Sequence, residues 1–188
     1  MGISIGDKFP EGVKFEWAPI DTGDPTSCSM PQEYDASKEW KGKKVVLVSV
    51  PGAFTPGCQA RHLPPYIGNI DSILQKGVDL VAVIASNDGW VMSAWGKVNG
   101  VKVGSNQPVH STDSPAKSTA FQDSEKILFL SDTKTQYSKQ IGWQAGMGER
   151  NGRWAMIIEK DGTISYAEKE QDPRQVTVSG AEAILSKL

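Results

Sequence analysis

The chain has 188 residues, a formal net charge of −2 and only two cysteines. This length suits one domain with a substantial hydrophobic core, and a composition of 22% charged and 38% hydrophobic residues is typical of a folded globular protein. The lack of a basic excess argues against a nucleic-acid or anionic-membrane partner, and two cysteines exclude a multi-cysteine zinc module and a disulfide-rich secreted scaffold.

Strand and helix patterns alternate along the chain. In chain order they predict strand Phe15–Ile20, strand Lys43–Val50, helix Cys58–Lys76, strand Val78–Ala85, helix Gly89–Val98, strand Ile127–Leu130, a helix from Asp132 to about Gln140, strands Trp154–Glu159 and Thr163–Tyr166, and helix Gly180–Leu185. The β-branched run at 43–50 is typical of a central strand buried on both faces, Gly77 provides a helix stop, and Asn87 or Asp88 can cap the helix that follows. This order predicts an α/β, thioredoxin-like fold: a central mixed sheet flanked by helices, with an added N-terminal strand region.

One segment departs from this alternation. Residues 101–126 are rich in Ser, Thr, Asn, Gln, Asp and Pro and contain few large apolar residues. We interpret them as a polar surface excursion with a short helix over Ser114–Phe121, because too little chain follows for an independent α/β unit. The sequence therefore predicts a single domain over residues 1–188.

The termini bear on localisation. Residues 1–8 lack the apolar run of a signal peptide, and no stretch approaches the ~20 apolar residues that a membrane-spanning helix needs. The chain ends in Ser186-Lys187-Leu188, the peroxisomal import tripeptide, although the same residues also fit the end of an amphipathic helix. We expect a peroxisomal location, a cytoplasmic one, or both.

The segment with the strongest chemical signal is Pro51-Gly-Ala-Phe-Thr55-Pro-Gly-Cys58, between a predicted strand and a predicted helix. A helix N-terminus offers unpaired N–H groups and a partial positive charge, which stabilise a thiolate over a thiol. Thr55 lies three residues before Cys58, so its hydroxyl can face the sulfur across the turn. These features indicate a nucleophilic Cys58 and disfavour a buried structural cysteine.

Other site types are less well supported. His62 follows Cys58 by one helical turn and can couple to it, but its surroundings favour a packing or hydrogen-bonding role. His110 lies in the polar segment, and two isolated histidines without a carboxylate cluster predict no metal site. The absence of a Cys-x-x-Cys pair disfavours a thioredoxin or a disulfide isomerase, and no dinucleotide fingerprint is present, so we expect no cofactor.

The motif ending at Cys58, continued by His62-Leu63-Pro64, closely resembles the active-site signature of the type-five peroxiredoxins of the AhpC/TSA group, which includes peroxisomal proteins. Three further parts of the chain also resemble segments of this family: Ser86-Asn87-Asp88, Trp95 and Arg153–Ile158. The resemblance implies a peroxidase that reduces hydrogen peroxide and alkyl hydroperoxides without metal, haem or flavin.

The same resemblance implies a role for each matching residue. Cys58 corresponds to the peroxidatic thiolate, Thr55 to a hydrogen-bond partner of the sulfur and the peroxide, and Pro51 to a shield against water. Arg153 corresponds to the family arginine, although Arg150 is a competing candidate. Fixed donors suit this chemistry, because cleavage of a peroxide bond leaves negative charge on the departing oxygen.

Cys28 is the one remaining cysteine and lies in an upstream segment, Asp24–Pro31, with the pattern of a flexible loop. Many family members carry a resolving cysteine downstream instead, whereas a minority use an upstream cysteine across a dimer. The resemblance thus implies a Cys28–Cys58 disulfide between subunits of a homodimer, with Phe54 and Trp90 as contact residues. It also implies recycling by thioredoxin, glutaredoxin or glutathione. Two alternatives stay open: a one-cysteine peroxidase resolved by an external thiol, and a non-catalytic redox sensor or binding module.

Overall fold

A mixed seven-stranded sheet forms the centre of the protein, which a computed structural model describes over residues 2–21, 24, 26–102, 122–123 and 126–188. Its strands are β1 (Lys14–Trp17), β2 (Gln32–Asp35), β3 (Val45–Ser49), β4 (Leu80–Ala85), β7 (Ile127–Ser131), β8 (Trp154–Ile158) and β9 (Ile164–Lys169), while β5 (Val101–Lys102) and β6 (Gln122–Asp123) form a separate parallel pair. The sheet order is β2-β1-β7-β4-β3-β8-β9. The three central strands run parallel, and every outer strand is antiparallel to its neighbour.

Helices cover both faces of this sheet. They are α1 (Ala36–Glu39), α2 (Leu63–Gly68), α3 (Ile70–Gln75), α4 (Gly89–Val98), α5 (Gln136–Gln140) and α6 (Ala181–Leu185), with a π-helical turn at Cys58–His62 and a 3₁₀ turn at Thr133–Thr135. Strands β3 and β4 are buried along their whole length, because an apolar layer packs on each side of them. One layer contains Cys58, Tyr66 and Trp95, and the other is built on aromatic side chains such as Trp40 and Trp154. The predicted thioredoxin-like α/β fold is confirmed.

The predicted long helix over Cys58–Lys76 is interrupted. It opens with a π-helical turn, continues as α2, breaks at Asn69 and resumes as α3. Pro64 and Pro65 occupy the first turn of α2, where a missing N–H is tolerated. The predicted stop is correct, since Gly77 adopts φ +85°, a conformation that favours glycine.

The N-terminal region differs most from the prediction. The added strand covers Lys14–Trp17 rather than Phe15–Ile20, and it pairs with β2, which the sequence did not indicate. The β2 sequence QEYD contains one apolar residue, and it forms an edge strand whose stability comes from pairing with β1.

The predicted polar excursion is described only at its ends, as β5 and β6. Residues 103–121 and 124–125, which include His110 and the predicted helix Ser114–Phe121, lie outside the described residues. None of the helices in the described ranges has the length and apolar character required to cross a membrane.

Candidate active site

The loop between β3 and the π-helical turn is fixed by contacts from two other parts of the chain. The Ala53 N–H donates to Asn87 Oδ1 at 2.8 Å, and Arg150 Nη1 donates to the Pro51 carbonyl at 3.3 Å. Phe54 adopts φ +59°, a left-handed conformation that is unusual for a residue with a side chain. These contacts hold the loop in a defined shape at the carboxyl end of a buried strand.

Cys58 lies in the first turn of the helix, where the sequence predicted it. The Gln59 N–H donates to the Thr55 carbonyl at 2.8 Å, so helical hydrogen bonding begins immediately before the cysteine. The side chain is a free thiol with no exposed surface. A sulfur atom at this position receives the field of the helix N-terminus in surroundings that exclude bulk water.

Arg153 reaches the sulfur from the residue that precedes β8. Its Nη2 lies 3.5 Å from Cys58 Sγ, and its Nε donates to the Pro173 carbonyl at 2.9 Å. The arginine is only 4% exposed. A buried guanidinium beside a sulfur stabilises negative charge strongly, because little solvent screens the interaction.

The third contact of this guanidinium is with His62. Arg153 Nη1 lies 2.8 Å from His62 Nδ1, and His62 Nε2 lies 2.8 Å from the Ser179 carbonyl. Tyr66 also donates to that carbonyl, at 2.7 Å. Burial lowers the pKa of His62 to about 4, and the charge of Arg153 acts in the same direction. The histidine therefore has the hydrogen-bonding role expected from the sequence.

The segment that follows β9 supplies these carbonyls, and Glu170 holds it in place. The carboxylate accepts hydrogen bonds from the backbone N–H and the hydroxyl of both Thr177 and Ser179, at 2.6–2.9 Å. Burial alone would raise the pKa of Glu170, but these hydrogen bonds lower it below its ordinary value. Glu170 and Ser179 were missed by the sequence analysis, because a backbone carbonyl and its support carry no motif.

The two candidate arginines differ in their contacts. Arg153 contacts the sulfur, whereas Arg150 contacts the Pro51 carbonyl in the loop. The Thr55 hydroxyl donates to the Gly52 carbonyl at 2.9 Å, so its proton is engaged there and its oxygen keeps acceptor capacity. Pro51 is half-buried at the start of the loop.

Cys28 occupies a different environment, on the surface of α4. Its half-exposed sulfur lies 3.6 Å from the Trp90 carbonyl and 3.7 Å from Lys97 Nζ. Lys97 also donates to the carbonyls of Asp24 and Ser27 in the Cys28 loop. Gln59, in the helix turn of Cys58, contacts a different part of this helix. Its Oε1 accepts a hydrogen bond from Trp95 Nε1, and its Nε2 donates to Asn99 Oδ1 at 2.7 Å.

Within the described ranges, no group of three or more His, Cys, Asp or Glu side chains is arranged to hold a metal ion.

Comparison with known proteins gives a consistent result. Residues 4–185 match the Redoxin family. Peroxiredoxin Pen c 3 of Penicillium citrinum is 43% identical over 190 residues, covering 100% of each chain, and a "Putative peroxisomal peroxiredoxin" of Lipomyces kononenkoae is 37% identical, covering 97% of this chain and 99% of its relative.

Solved structures similar to this chain include further peroxiredoxins. Reduced Prx3 of Vibrio vulnificus in complex with hydrogen peroxide superimposes with a TM-score of 0.73 at 30% identity and 99% coverage of both chains. Peroxiredoxin 5 of Alvinella pompejana gives a TM-score of 0.66 at 27% identity, covering 98% of this chain and 97% of its own.

Proposed function

The chain belongs to the Redoxin family and is a peroxiredoxin, a thiol-dependent peroxidase, and from this premise we propose that Cys58 is its peroxidatic cysteine. The observation that carries the proposal is the buried contact of 3.5 Å between Arg153 Nη2 and Cys58 Sγ at the start of a helix. It combines a nucleophile with a fixed cation where charge develops in the reaction.

The first step is nucleophilic displacement at a peroxide oxygen. The Cys58 thiolate attacks one oxygen, the S–O bond forms as the O–O bond breaks, and the bonding pair leaves on the second oxygen. That oxygen becomes hydroxide or alkoxide and takes up a proton to give water or alcohol. Cys58 is oxidised to the sulfenic acid, and the peroxide is reduced by two electrons.

Two further residues complete the substrate pocket. The Thr55 proton is engaged by the Gly52 carbonyl, so its oxygen accepts a hydrogen bond from the peroxide O–H. Pro51 covers the site at the start of the loop and limits access of water. Hydrogen peroxide, the molecule bound in the Vibrio vulnificus structure, and alkyl hydroperoxides are the substrates of this proposal.

Cys28 is the resolving thiol in our proposal, and it acts across a homodimer. Cys28 contacts the side of α4 that carries Lys97, whereas Gln59 contacts the side that carries Trp95. At 100° per residue Lys97 and Trp95 project about 160° apart, so the Cys28 loop and the Cys58 turn contact different faces of α4. This arrangement favours a disulfide with the Cys28 of a partner subunit.

The Cys58 sulfenic acid is then returned to the thiol in two steps. Cys28 of the partner attacks the Cys58 sulfenic acid and releases water, which leaves an intersubunit disulfide. Thioredoxin, or glutaredoxin or glutathione in its place, supplies the two electrons that regenerate both thiols. The proposed dimer contacts are Phe54, in the loop before Cys58, and Trp90, whose carbonyl contacts Cys28. Their side chains are 48% and 46% exposed.

We also propose that the protein enters peroxisomes. The supporting observations are the terminal Ser186-Lys187-Leu188 and the relative from Lipomyces kononenkoae.

The test of the central proposal is Cys58→Ser. We expect this substitution to abolish peroxide consumption, measured with thioredoxin, thioredoxin reductase and NADPH, because serine is not oxidised by peroxide. A serine variant that keeps the wild-type rate would refute the role of Cys58. Labelling of the sulfenic acid by dimedone provides a second measurement, which should succeed in the wild type and fail in the variant.

A further inference from the structure

One guanidinium joins Cys58 to His62, which follows it by one turn. Arg153 Nη2 faces the sulfur, and Nη1 faces His62 Nδ1 at 2.8 Å. The remaining contact, from Nε to the Pro173 carbonyl, fixes the third nitrogen of the same planar guanidinium. Since the guanidinium is planar and rigid, fixing two of its nitrogens determines where the third one points.

The hydrogen-bond partners determine the tautomer of His62. Arginine only donates, so Nδ1 must be the acceptor; the Ser179 carbonyl only accepts, so Nε2 must carry the proton. His62 is therefore neutral, and burial supports this state by lowering its pKa to about 4. A protonated imidazole would place an N–H against the N–H of Arg153.

A neutral acceptor has an electrostatic consequence. Among the residues that the structure describes, no carboxylate lies within 4.0 Å of the Arg153 guanidinium. Glu170, nearby in the same network, directs its oxygens to Thr177 and Ser179 instead. Within the described residues, the guanidinium that faces Cys58 is thus not paired directly with a carboxylate.

We propose that His62 is a positioning residue of the peroxidase site, which as a neutral acceptor fixes the Arg153 guanidinium against Cys58 without cancelling its charge. The proposal rests on the proposed function, in which Cys58 is the attacking thiolate. A carboxylate at the same place would also orient the arginine, but it would oppose the negative charge that develops in the transition state.

Two substitutions separate this role from a structural one. In His62→Asn, the side-chain oxygen takes the place of Nδ1 and keeps the contact with Arg153. In His62→Gln, the longer amide takes the place of Nε2 and keeps the contact with Ser179 instead. We expect the first-turnover rate with hydrogen peroxide, followed by stopped-flow tryptophan fluorescence, to fall about tenfold in the glutamine variant and less than about threefold in the asparagine variant.

Tyr66→Phe is the matched control, because it removes the other donor to the Ser179 carbonyl without a contact to Arg153. We expect it to lower the thermal unfolding midpoint while the peroxide rate stays within about twofold of the wild type. The proposal is wrong if the glutamine variant is as fast as the asparagine variant, or if the phenylalanine variant slows as much as the glutamine variant.

Nitrogen-15 spectra of the imidazoles test the wild-type protein directly, with His110→Gln used to assign the two histidines. We expect His62 to show a protonated Nε2 and an unprotonated Nδ1 from pH 5.5 to pH 8. The opposite tautomer would overturn the proposal even if every variant failed to fold. Neither result bears on whether Cys58 is the peroxidatic residue, which Cys58→Ser decides separately.

Discussion

The surroundings of the two cysteines differ in almost every physical respect. Cys58 is fully buried, and the groups around it come from the helix start, from the residue before β8 and from the segment after β9. Cys28 is half-exposed, and its loop is held on α4 by the Lys97 side chain and by the contact of the thiol with the Trp90 carbonyl. The first environment is suited to stabilise charge, and the second to release a thiol for movement.

This contrast shows how one fold accommodates two requirements. Peroxide reduction needs donors that are fixed before the reaction, because reorganisation during the reaction would cost free energy. Disulfide formation needs the two sulfur atoms to come within about 2 Å of each other, so at least one thiol must move. In the proposed mechanism the buried Cys58 carries out the first of these steps and the half-exposed Cys28 the second.

The largest expected effect concerns Cys28. Cys28→Ser should eliminate the covalent dimer that forms after one equivalent of peroxide, seen on non-reducing electrophoresis, while the first-turnover rate stays unchanged. Ser29→Ala, in the same loop, should retain the dimer band. A dimer that persists without Cys28 would show that the proposed disulfide is wrong, and unchanged cycling with thioredoxin would indicate resolution by an external thiol.

Removing the cation from the rigid site should have the next largest effect. We expect Arg153→Met to slow the reaction with hydrogen peroxide by about 10²–10³, the usual cost of losing one fixed donor at a developing charge. Arg150→Met is the control and should cost less than about tenfold, because Arg150 contacts the loop carbonyl of Pro51. Equal losses in the two variants would contradict the assignment of Arg153.

The buried histidine should make the folded protein sensitive to acid. Its pKa is about 4 in the folded state and 6.5 when unperturbed, so the unfolded chain binds a proton between these values and the native protein does not. Stability should therefore fall as the pH drops from above 6.5 to 4, by roughly 3 kcal/mol from this group.

Urea unfolding at pH 7.5 and pH 4.5 measures this dependence. The groups that face His62 are Arg153, Tyr66 and Glu170, and the lowered pKa of Glu170 keeps this carboxylate ionised in the native protein at pH 4.5. The His62→Gln variant should consequently lose less stability than the wild type over this range. An equal loss in both proteins would show that His62 does not contribute.

The smallest expected effect is on the tether of the Cys28 loop. Lys97→Met removes the donor to the Asp24 and Ser27 carbonyls, so backbone amides at 26–30 should exchange with deuterium about fivefold faster. Lys76→Met, a surface lysine after α3, is the control and should leave this exchange unchanged. Slower exchange in the Lys97 variant would be inconsistent with a tether.

The sequence predicted the parts of the fold that depend on local pattern. Helix α4 was predicted with its observed bounds, because Asn87 and Asp88 mark its start, and in the structure Asp88 is the cap. Cys58 was placed correctly at a strand-to-helix junction, since β-branched residues precede it and a Pro/Gly turn separates the two elements.

Other features depend on contacts between distant residues and had no local signal. Strand β2 forms because β1 is available to pair with it, and its own residues are mostly polar. The link from His62 to Ser179 joins residues 117 positions apart through a backbone carbonyl, which any residue type provides. The orientation of the Thr55 hydroxyl depends on the loop conformation that Phe54 makes possible with its positive φ.

The prolines that begin α2 affect how the buried thiol becomes accessible. Pro64 and Pro65 have no N–H, so the carbonyls four residues before each receive no helical donor from them. The turn that contains Cys58 is instead closed by a bond from the Leu63 N–H to the Cys58 carbonyl. The backbone hydrogen bonds of this turn, each contributing about 0.5–1.5 kcal/mol, are therefore fewer than those of a regular helix of the same length. We therefore expect the amides of this turn to exchange with deuterium before those of the sheet.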